Sequence, residues 1–536
     1  MTEETPRPNS PAPKAYAPER KREATSALGK WYQRHFDLSW PIVLPTLLLV
    51  GSFMTSTFLF EETLKGFFDR FQSAAYQNLG WMLILSVNVA LFAVLYFAIG
   101  RHGRIRLGGA NAKPEFSTLT WWAMLFSAGM GIGLVYFGVA EPLLHFTQPP
   151  FEVEGETQRA ALAFRKSFLH YGLHPWGVYA LVGLGMAFFT FNRGLPLTVR
   201  SIFEPLLGKH IHGWIGHTID IIAVFATLIG LATTLGLGVQ QVGSGLHFLF
   251  GWASDTSLHL VLIVGITLAA TLSVVSGLKK GIRLLSNLNM ILAIALMGLL
   301  LLLGPTGRIL DVFVQGTGGY LTRFLSEGTW TGAFREENSW RDNWTVFYWA
   351  WWIAWSPFVG IFIARISRGR TIREFILSVL SVPVLFTFLW FSVFGTCALD
   401  IELQGVANLG QSVVEDFSTG LFVMLEQYPW TTLTSALAIV LVTSFFITSS
   451  DSGSLVVDML TSGGKLDAPV GQRIFWALTE GAVAAALLVA GGLKAMQSMS
   501  IAAGVPYAFL LMVMVVSIHR GLDRELAQQK EGQSEA

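Results

Sequence analysis

The sequence is poor in the features on which most enzymes and nucleic-acid-binding proteins depend. Its one cysteine, Cys397, excludes a disulfide framework and a metal site with several cysteine ligands. The 36 basic and 35 acidic residues nearly balance, so there is no positive excess to neutralise the phosphates of a nucleic acid. The sequence shows neither a catalytic cluster of histidines and carboxylates nor the Gly-x-Ser-x-Gly motif, which argues against an enzyme.

Apolar residues, in contrast, are abundant. Hydrophobic residues make up 52% of the chain and the mean hydropathy is +0.53, a composition that predicts an integral membrane protein. A helix needs about 20 apolar residues to cross about 30 Å of hydrocarbon. Twelve runs qualify, at 39–60, 79–99, 118–139, 170–191, 218–240, 257–276, 285–304, 345–364, 375–398, 431–449, 473–492 and 499–518.

The segments outside these runs indicate the topology. Residues 306–340 carry too many charges to span a membrane and predict a surface helix and loop. The first 36 residues predict a disordered tail, and the run at 39–60 is too long and too far in for a cleaved signal peptide. Basic residues gather in every second gap, as in "ARISRGRTIRE", so the positive-inside rule predicts that both termini are cytoplasmic.

Two of the twelve runs carry helix-breaking residues. The third run, "FSAGMGIGLVYFGVAEP", has Gly129, Gly131 and Gly133 at alternate positions. This spacing allows a helix to unwind where its backbone lines a cavity, although close packing through small residues explains the pattern equally well. Pro357 predicts a second interruption in the eighth run. Two interrupted helices five spans apart suggest inverted repeats with a site between them.

The eighth run is also crowded with tryptophan, in the stretch "WTVFYWAWWIAWSPFVG" at 344–360. On a helix Trp344, Trp351 and Trp355 share one face, which Trp352 borders. An interfacial aromatic belt suits only Trp344, because the others lie well inside the span. Clustered π faces in a dry pocket bind quaternary ammonium groups, with about 2 kcal/mol or more per desolvated contact. The alternative is simple core packing.

These motifs resemble those of the betaine/choline/carnitine transporters. "WAWWIAWSPFVGIFIARISRGRTIREF" is similar to that family's signature on span eight, "GMGIGLVYFGVAEPL" to its span three and "HYGLHPWGVY" to its span four. The resemblance implies an all-α membrane protein of twelve transmembrane helices, with two inverted five-helix repeats of LeuT-like fold after two N-terminal helices, usually assembled as a trimer. The implied domains are a cytoplasmic tail at 1–36, a transporter domain at 37–520 with repeats at about 117–305 and about 343–518, the surface segment at about 306–340, and a cytoplasmic tail at 521–536.

The resemblance also implies a substrate cage of aromatic rings. The matching positions are Trp176 and Tyr179 on span four and Trp352 on span eight, with Trp351 and Trp355 along the path to the cytoplasm. Tyr171 stands where sodium-coupled betaine carriers have tryptophan, so it offers a weaker π face and a hydroxyl that needs a partner. For the carboxylate of a zwitterion, we expect the unwound backbone from Gly129 to Gly133 to supply N–H donors.

A sodium site is implied in the same way. Its residues are Phe445, Thr448 and Ser449 on span ten, with Ser127 and Met130 on span three. Hydroxyl and carbonyl oxygens suit a singly charged hard cation, although such hydroxyls often bond to their own backbone instead. A possible second sodium site pairs Thr227 with Phe358, but Leu231 stands one turn after Thr227 and leaves that site uncertain.

Other ionisable groups bear on the coupling ion. The family's proton-driven choline carriers have Asp where this chain has Gly133, which favours sodium. His170, His174 and Glu480 lie inside spans and are functional candidates, although each has a simpler explanation as a partner in helix packing.

The sequence therefore predicts a secondary transporter of the bacterial inner membrane, without cofactor, that imports a small onium zwitterion with sodium by alternating access. Glycine betaine is the first candidate. The alternatives are a proton-coupled choline carrier, a sodium-coupled carrier of dimethylsulfoniopropionate, ectoine or carnitine, and an ion-independent exchanger. The expected partners are the solute, membrane lipids and two further copies of the chain in a homotrimer.

Overall fold

The computed structural model of the chain describes residue 26 and residues 35–129, 131–276, 278–466 and 468–534. Most of the predicted N-terminal tail and Met130 of the predicted sodium site lie outside the described residues. Within them the chain is helical, and its one extended pairing is an isolated antiparallel bridge between Arg106 and Thr371. The prediction of an all-α protein is confirmed for this part of the chain.

Fifteen helices of twelve or more residues make up most of the described chain, and short helical turns connect them. The long helices are α1 Trp40–Leu59, α2 Glu61–Ile99, α3 Thr118–Gly129, α4 Ile132–Thr147, α5 Glu156–Tyr171, α6 Leu173–Phe191, α7 Trp214–Phe250, α8 Thr256–Ser276, α9 Leu278–Leu303, α10 Thr306–Gly328, α11 Phe347–Arg365, α12 Ile372–Leu403, α13 Thr431–Thr461, α14 Val470–Gly491 and α15 Leu493–Ser534. The short turns are Arg101–Arg104, Val199–Phe203, Glu204–Leu207, Gly208–His212, Ser339–Arg341, Asp342–Val346, Leu409–Glu415 and Gly420–Glu426.

The lengths and compositions of these helices are those of a multi-pass membrane protein. Among the described residues, 11 segments are long and apolar enough to cross a bilayer. The predicted third span is divided between α3 and α4, each too short to qualify alone. The charged stretch after α9 forms α10, which does not qualify as a span, as expected for a surface helix. Most of the predicted C-terminal tail is helical, because α15 continues to Ser534.

The segment that contains α11 lies at the centre of the helix packing. In the most apolar 18-residue window of each segment, 89% of the residues are buried for Ser339–Arg365 and 94% for Glu156–Phe191. The corresponding share is 28% for both Trp40–Thr57 and Leu285–Leu303. The tryptophan-rich helix is therefore enclosed by protein, where α6, α7 and α15 pack against it. The outer helices α1 and α9 have exposed apolar side chains.

The predicted interruption of the third span is present. α3 ends at Gly129, Gly131 is extended with φ −148° and ψ 175°, and α4 begins at Ile132. The first N–H groups of α4 therefore lack partners within their own helix. The backbone is therefore not helical between α3 and α4, in the middle of an otherwise apolar span.

The predicted interruption at Pro357 is wrong, because α11 runs through this residue from Phe347 to Arg365. A proline inside a helix leaves the carbonyl four residues earlier without its usual N–H donor. Here that carbonyl belongs to Ile353, and the Ser356 hydroxyl donates to it at 2.7 Å. A neighbouring side chain thus replaces the missing hydrogen bond, and only one of the two interruptions that suggested inverted repeats is present.

An interruption that the sequence analysis did not predict lies in the fourth span, at Gly172 between α5 and α6. The Leu173 N–H donates to the Tyr320 hydroxyl of α10 at 3.0 Å. A Cβ on residue 172 would lie 2.9 Å from the same oxygen, so glycine allows α10 to approach. Burial raises the pKa of Tyr320, which keeps this hydroxyl protonated. α10 therefore caps the break next to Tyr171.

Candidate functional site

The four aromatic residues predicted for the cage and the two predicted along the path to the cytoplasm all line one cavity at the helix breaks. The space between its lining atoms is about 530 Å³. We call this cavity the aromatic chamber. Its lining residues are Gly131, Ile132, Gly133, Leu134, Tyr171, Pro175, Trp176, Tyr179, Thr234, Trp351, Trp352, Trp355 and Thr387. No Asp, Glu, Lys, Arg or His side chain is among the described residues that line it.

α11 supplies the largest rings of the chamber. Trp351 and Trp352 stack with their ring centroids 4.6 Å apart and their planes at 13°. Trp352 is fixed because its indole N–H donates to the His170 carbonyl at 2.9 Å. Trp355 fits against α7 because residue 230 is glycine, where a Cβ would lie 2.5 Å from Cδ1 of this indole. Trp351, Trp352 and Trp355 are thus turned toward the chamber, whereas Trp344 of the predicted face is not among its lining residues.

Trp344 and Trp349 lie outside the chamber. Trp344, at the start of the run, packs its ring 4.7 Å from that of His145 and 6.0 Å from that of Phe417. Trp349 stacks on His174 with centroids 5.6 Å apart. His174, which the sequence marked as a functional candidate, therefore packs against a ring behind the chamber, and neither of its ring nitrogens has a hydrogen-bond partner among the described residues.

The break at Gly172 positions the rings of the fourth span. Tyr171 is the last residue of α5, and its ring meets that of Trp352 edge-on at 5.3 Å. Trp176 and Tyr179 lie on the first two turns of α6, with their rings nearly perpendicular at 5.4 Å. Rings from two helices therefore meet those of α11 around the same space.

The three predicted glycines differ in their relation to the chamber. Gly131 and Gly133 line it, whereas Gly129 ends α3 and is not among the lining residues. A Cβ on residue 133 would lie 3.3 Å from Cη2 of Trp351 and 3.5 Å from the hydroxyl of Tyr171. A Cβ on residue 131 would meet nothing within 4 Å. Glycine at 133 therefore gives the rings the room to approach the helix break.

The hydroxyl of Tyr171 leads from the chamber into a buried hydrogen-bond network. It lies 3.2 Å from the Gly133 carbonyl and 3.2 Å from the hydroxyl of Tyr348. Tyr348 donates to Glu141 Oε2 at 2.6 Å. The extra hydroxyl at position 171 thus finds the partner that its burial requires.

Glu141 is the centre of this network. Its Oε1 accepts hydrogen bonds from Nδ1 of His170 at 2.7 Å and from Nε2 of His145 at 3.1 Å. His170 contacts the Thr345 hydroxyl at 3.0 Å through its other nitrogen. The ligand atoms of the carboxylate and the two imidazoles lie within 4.8 Å of one another, as in a metal site. Both carboxylate oxygens already accept hydrogen bonds, so the arrangement forms a closed polar network.

Sequence reasoning found only part of this network. It marked His170 as an ionisable residue inside a span, but it assigned no role to Glu141, His145 or Tyr348. Glu141 stands inside the quoted motif "GMGIGLVYFGVAEPL", and an acidic residue in an apolar run is the signal that was missed.

Two of the three hydroxyls predicted to bind sodium, those of Thr448 and Ser127, have protein partners. Thr448 donates to the carbonyls of Ser444 at 3.0 Å and Phe445 at 2.9 Å, and it accepts from the Asn289 amide at 3.0 Å. Ser127 lies 3.5 Å from the Ser286 hydroxyl. Ser449 lines a second, smaller cavity. Thr448 and Ser127 thus both contact α9, at Asn289 and Ser286, which lie one turn apart.

The possible second sodium site has less support. Thr227 donates to the Ala223 carbonyl at 2.8 Å, within its own helix. The ring of Phe358 packs against that of Trp355 at 5.2 Å. Leu231, one turn after Thr227, fills the space against α13, where a Cβ on Gly453 would meet it at 2.4 Å.

Residues 41–527 match the BCCT family, described as betaine/carnitine/choline family transporters. A glycine betaine transporter of Vibrio parahaemolyticus serotype O3:K6 is 44% identical over 501 residues, which cover 91% of this chain and 95% of that protein. A glycine betaine/proline/choline transporter of the same strain is 45% identical over 489 residues, covering 88% and 87%. A glycine betaine transporter of Bacillus subtilis (strain 168) is 43% identical over 474 residues, covering 88% and 92%.

Proposed function

The chain belongs to the betaine/carnitine/choline transporter family and is a transporter rather than an enzyme; on that premise we propose that it imports a small onium zwitterion, glycine betaine first, together with sodium. The observation that carries the proposal is the aromatic chamber. The relatives described above are named for glycine betaine, and one of them also for proline and choline. Transport would proceed by alternating access to the chamber.

The chemistry of the chamber favours a permanently charged cation. Its walls carry aromatic rings and no Asp, Glu, Lys, Arg or His side chain among the described residues, so a cationic ligand would be held by π faces. A desolvated cation-π contact contributes about 2 kcal/mol or more. A quaternary ammonium has no N–H to satisfy, so an apolar ring-lined wall suits it better than it suits a primary amine.

The other end of a zwitterion would meet hydrogen-bond donors. The first N–H groups of α4, at Ile132 and Gly133, stand at the positive end of a 16-residue helix that opens on the chamber. The indole N–H groups of Trp351 and Trp355 are buried and have no hydrogen-bond partner in the described part of the chain. A carboxylate would therefore find donors at the end of the chamber where the third span is broken.

Sodium is the coupling ion that we propose. The oxygen-bearing side chains of Thr448 and Ser449 support it, because hard monovalent cations prefer oxygen ligands. The proton-coupled alternative has less support, because Gly133 offers no side chain to titrate at the position where the family's choline carriers have Asp.

We further propose that the protein lies in the bacterial inner membrane as a homotrimer in contact with membrane lipids, with both termini in the cytoplasm. The topology rests on the alternation of basic gaps between the spans. The inverted repeats at about 117–305 and about 343–518 belong to the same proposal.

Uptake of labelled glycine betaine into proteoliposomes, under separate sodium and proton gradients, tests the proposal. We expect accumulation with an inward sodium gradient and none with a proton gradient alone. Accumulation that follows only the proton gradient would overturn the sodium assignment. Exchange against internal betaine without any gradient would favour the exchanger, and no interaction with any onium compound would overturn the function itself.

A further inference from the structure

A second cavity lies against the aromatic chamber. The space between its lining atoms is about 250 Å³, and α4, α7, α13 and α14 enclose it. Its polar lining consists of Thr234, Ser449, Ser450 and Glu480, so we call it the hydroxyl cavity. Ile132 and Thr234 line both cavities. The two spaces therefore share a wall at the break in the third span.

Glu480 is the only acidic residue that lines this cavity among the described residues, and it is 1% exposed. Its Oε2 accepts a hydrogen bond from the Ser450 hydroxyl at 3.1 Å. The Ser454 hydroxyl lies 3.3 Å from Oε1 but only 2.8 Å from the Ser450 carbonyl, which is the nearer acceptor for its single proton. Oε1 of Glu480 is thus left with only a weak hydrogen-bond donor.

No basic side chain balances this carboxylate within the described part of the chain. Arg473 lies on the same helix, but its guanidinium pairs with Asp458 at 3.4 Å. Asp451 is the acidic group whose charge interacts with that of Glu480. Its Oδ2 accepts a hydrogen bond from the Ser273 hydroxyl at 2.7 Å. A buried carboxylate without a counter-charge is costly, so Glu480 must be neutralised either by a proton or by a cation bound beside it.

The oxygen atoms that line the hydroxyl cavity indicate which kind of cation it suits. Thr234 donates to the Gly230 carbonyl at 3.0 Å and Ser450 donates to Glu480, so both hydroxyl oxygens keep lone pairs for a ligand. The polar side chains offer only oxygen, which suits a hard cation better than a transition metal. One carboxylate with neutral hydroxyls matches a single positive charge, since divalent ions are usually held by more acidic ligands.

We propose that the hydroxyl cavity binds the sodium ion that travels with the solute, and that Glu480 supplies its counter-charge beside Thr234, Ser449 and Ser450. This inference rests on the proposed sodium-coupled function and adds to it. It places the ion on the Glu480 side of Ser449, whereas Thr448 on the same helix is directed to Asn289 of α9. The inferred site thus shares only Ser449 with the site that the sequence predicted, and it contains a carboxylate that the predicted site lacked.

Binding of radiolabelled sodium to the purified full-length protein, measured by equilibrium dialysis, tests this inference. We expect Glu480→Gln to weaken sodium binding by at least about tenfold, and Glu480→Asp to recover part of it, because the number of ligand charges tunes cation affinity. Asp451→Asn is the matched control, since it removes a neighbouring buried carboxylate that does not line the cavity. Its effect should be several times smaller. Equal binding by wild type and Glu480→Gln would overturn the inference.

Two further measurements keep the outcome unambiguous. If Glu480→Gln does not fold, as judged by size-exclusion chromatography, Thr234→Val and Ser450→Ala take its place, and unchanged sodium binding in both would overturn the inference. Sodium-dependent betaine uptake of the wild type is measured in parallel. Normal sodium dependence in Glu480→Gln defeats only the Glu480 site, whereas wild-type uptake that ignores sodium defeats the proposed coupling as well.

Discussion

The phenol oxygens of Tyr171 and Tyr348 lie 3.2 Å apart. Tyr171 belongs to the wall of the aromatic chamber, and Tyr348 donates onward to the buried carboxylate of Glu141. The Tyr171 proton has two acceptors at the same distance, the Tyr348 oxygen and the Gly133 carbonyl. A side chain of the chamber wall is thus joined directly to the network that connects spans three, four and eight.

The ring and the hydroxyl of Tyr171 have separable roles. We expect Tyr171→Phe to lower glycine betaine affinity by less than about fivefold, because the π face remains and one hydrogen bond contributes about 1 kcal/mol. Tyr171→Leu removes the ring as well and should lower affinity by about 30-fold, which corresponds to about 2 kcal/mol. Equilibrium binding of labelled betaine distinguishes the two, and equal losses in both variants would contradict the division.

The cage assignment predicts a loss of transport when its rings are removed. Trp352→Leu or Trp176→Leu should abolish betaine uptake while the protein is still produced and inserted, since each deletes a wall of the chamber. Trp214→Leu is the control, because that indole is 77% exposed at the start of α7. Uptake into cells is the measurement. Near-normal transport by both cage variants would refute the assignment.

The glycines of the helix break provide a matched pair. Gly133→Ala places a methyl group 3.3 Å from Trp351, so a ring must shift and the chamber must narrow. Gly131→Ala meets nothing within 4 Å, and its φ of −148° is open to any residue. We expect a several-fold larger loss of betaine affinity in Gly133→Ala than in Gly131→Ala. The reverse order would show that space beside Trp351 is not the limiting factor.

Glu141 is expected to stabilise the helix packing. Glu141→Gln replaces an acceptor of three hydrogen bonds with an amide that can accept at only one oxygen, and the loss should be about 3 kcal/mol of stability. Thermal unfolding in detergent measures it. Thr345→Val removes only the outer hydrogen bond to His170 and should cost about 1 kcal/mol. Equal melting temperatures for Glu141→Gln and wild type would rule out this role.

The Ser356 hydroxyl replaces the backbone hydrogen bond that Pro357 removes from α11, so the effects of substituting these two residues on stability should be coupled. Ser356→Ala leaves the Ile353 carbonyl without a donor and should lower stability by about 1 kcal/mol. Adding Pro357→Ala restores a backbone N–H for that carbonyl, so the double variant should be more stable than Ser356→Ala alone. Thermal unfolding of the two variants decides it, and additive losses would contradict the compensation.

The sequence predicted features that depend on local spacing. Trp351 and Trp355 share a face because they lie four positions apart on one helix, and the alternating glycines predicted the break at Gly131. The quoted motifs located Tyr171 and Trp176 by resemblance. Each of these predictions needed only the residues of a single span, or the similarity of that span to a motif of the transporter family.

Features that depend on contacts between distant segments escaped prediction. Glu141 meets His170 from 29 positions away and Tyr348 from 207, so no local pattern indicates the network. The break at Gly172 depends on Tyr320, which approaches from a separate helix. The error at Pro357 arose in the same way, because a proline pattern does not show whether a nearby hydroxyl takes over the freed carbonyl.

The shared wall of the two cavities would make a solute in one and an ion in the other thermodynamically interdependent. Any ligand that displaces Ile132 or Thr234 from one side reshapes the space on the other. Linkage then requires symmetry: whatever factor the ion adds to the solute's affinity, the solute must add to the ion's. Ile132 and Thr234 would thus determine how strongly the downhill flux of the ion is coupled to the uphill flux of the solute.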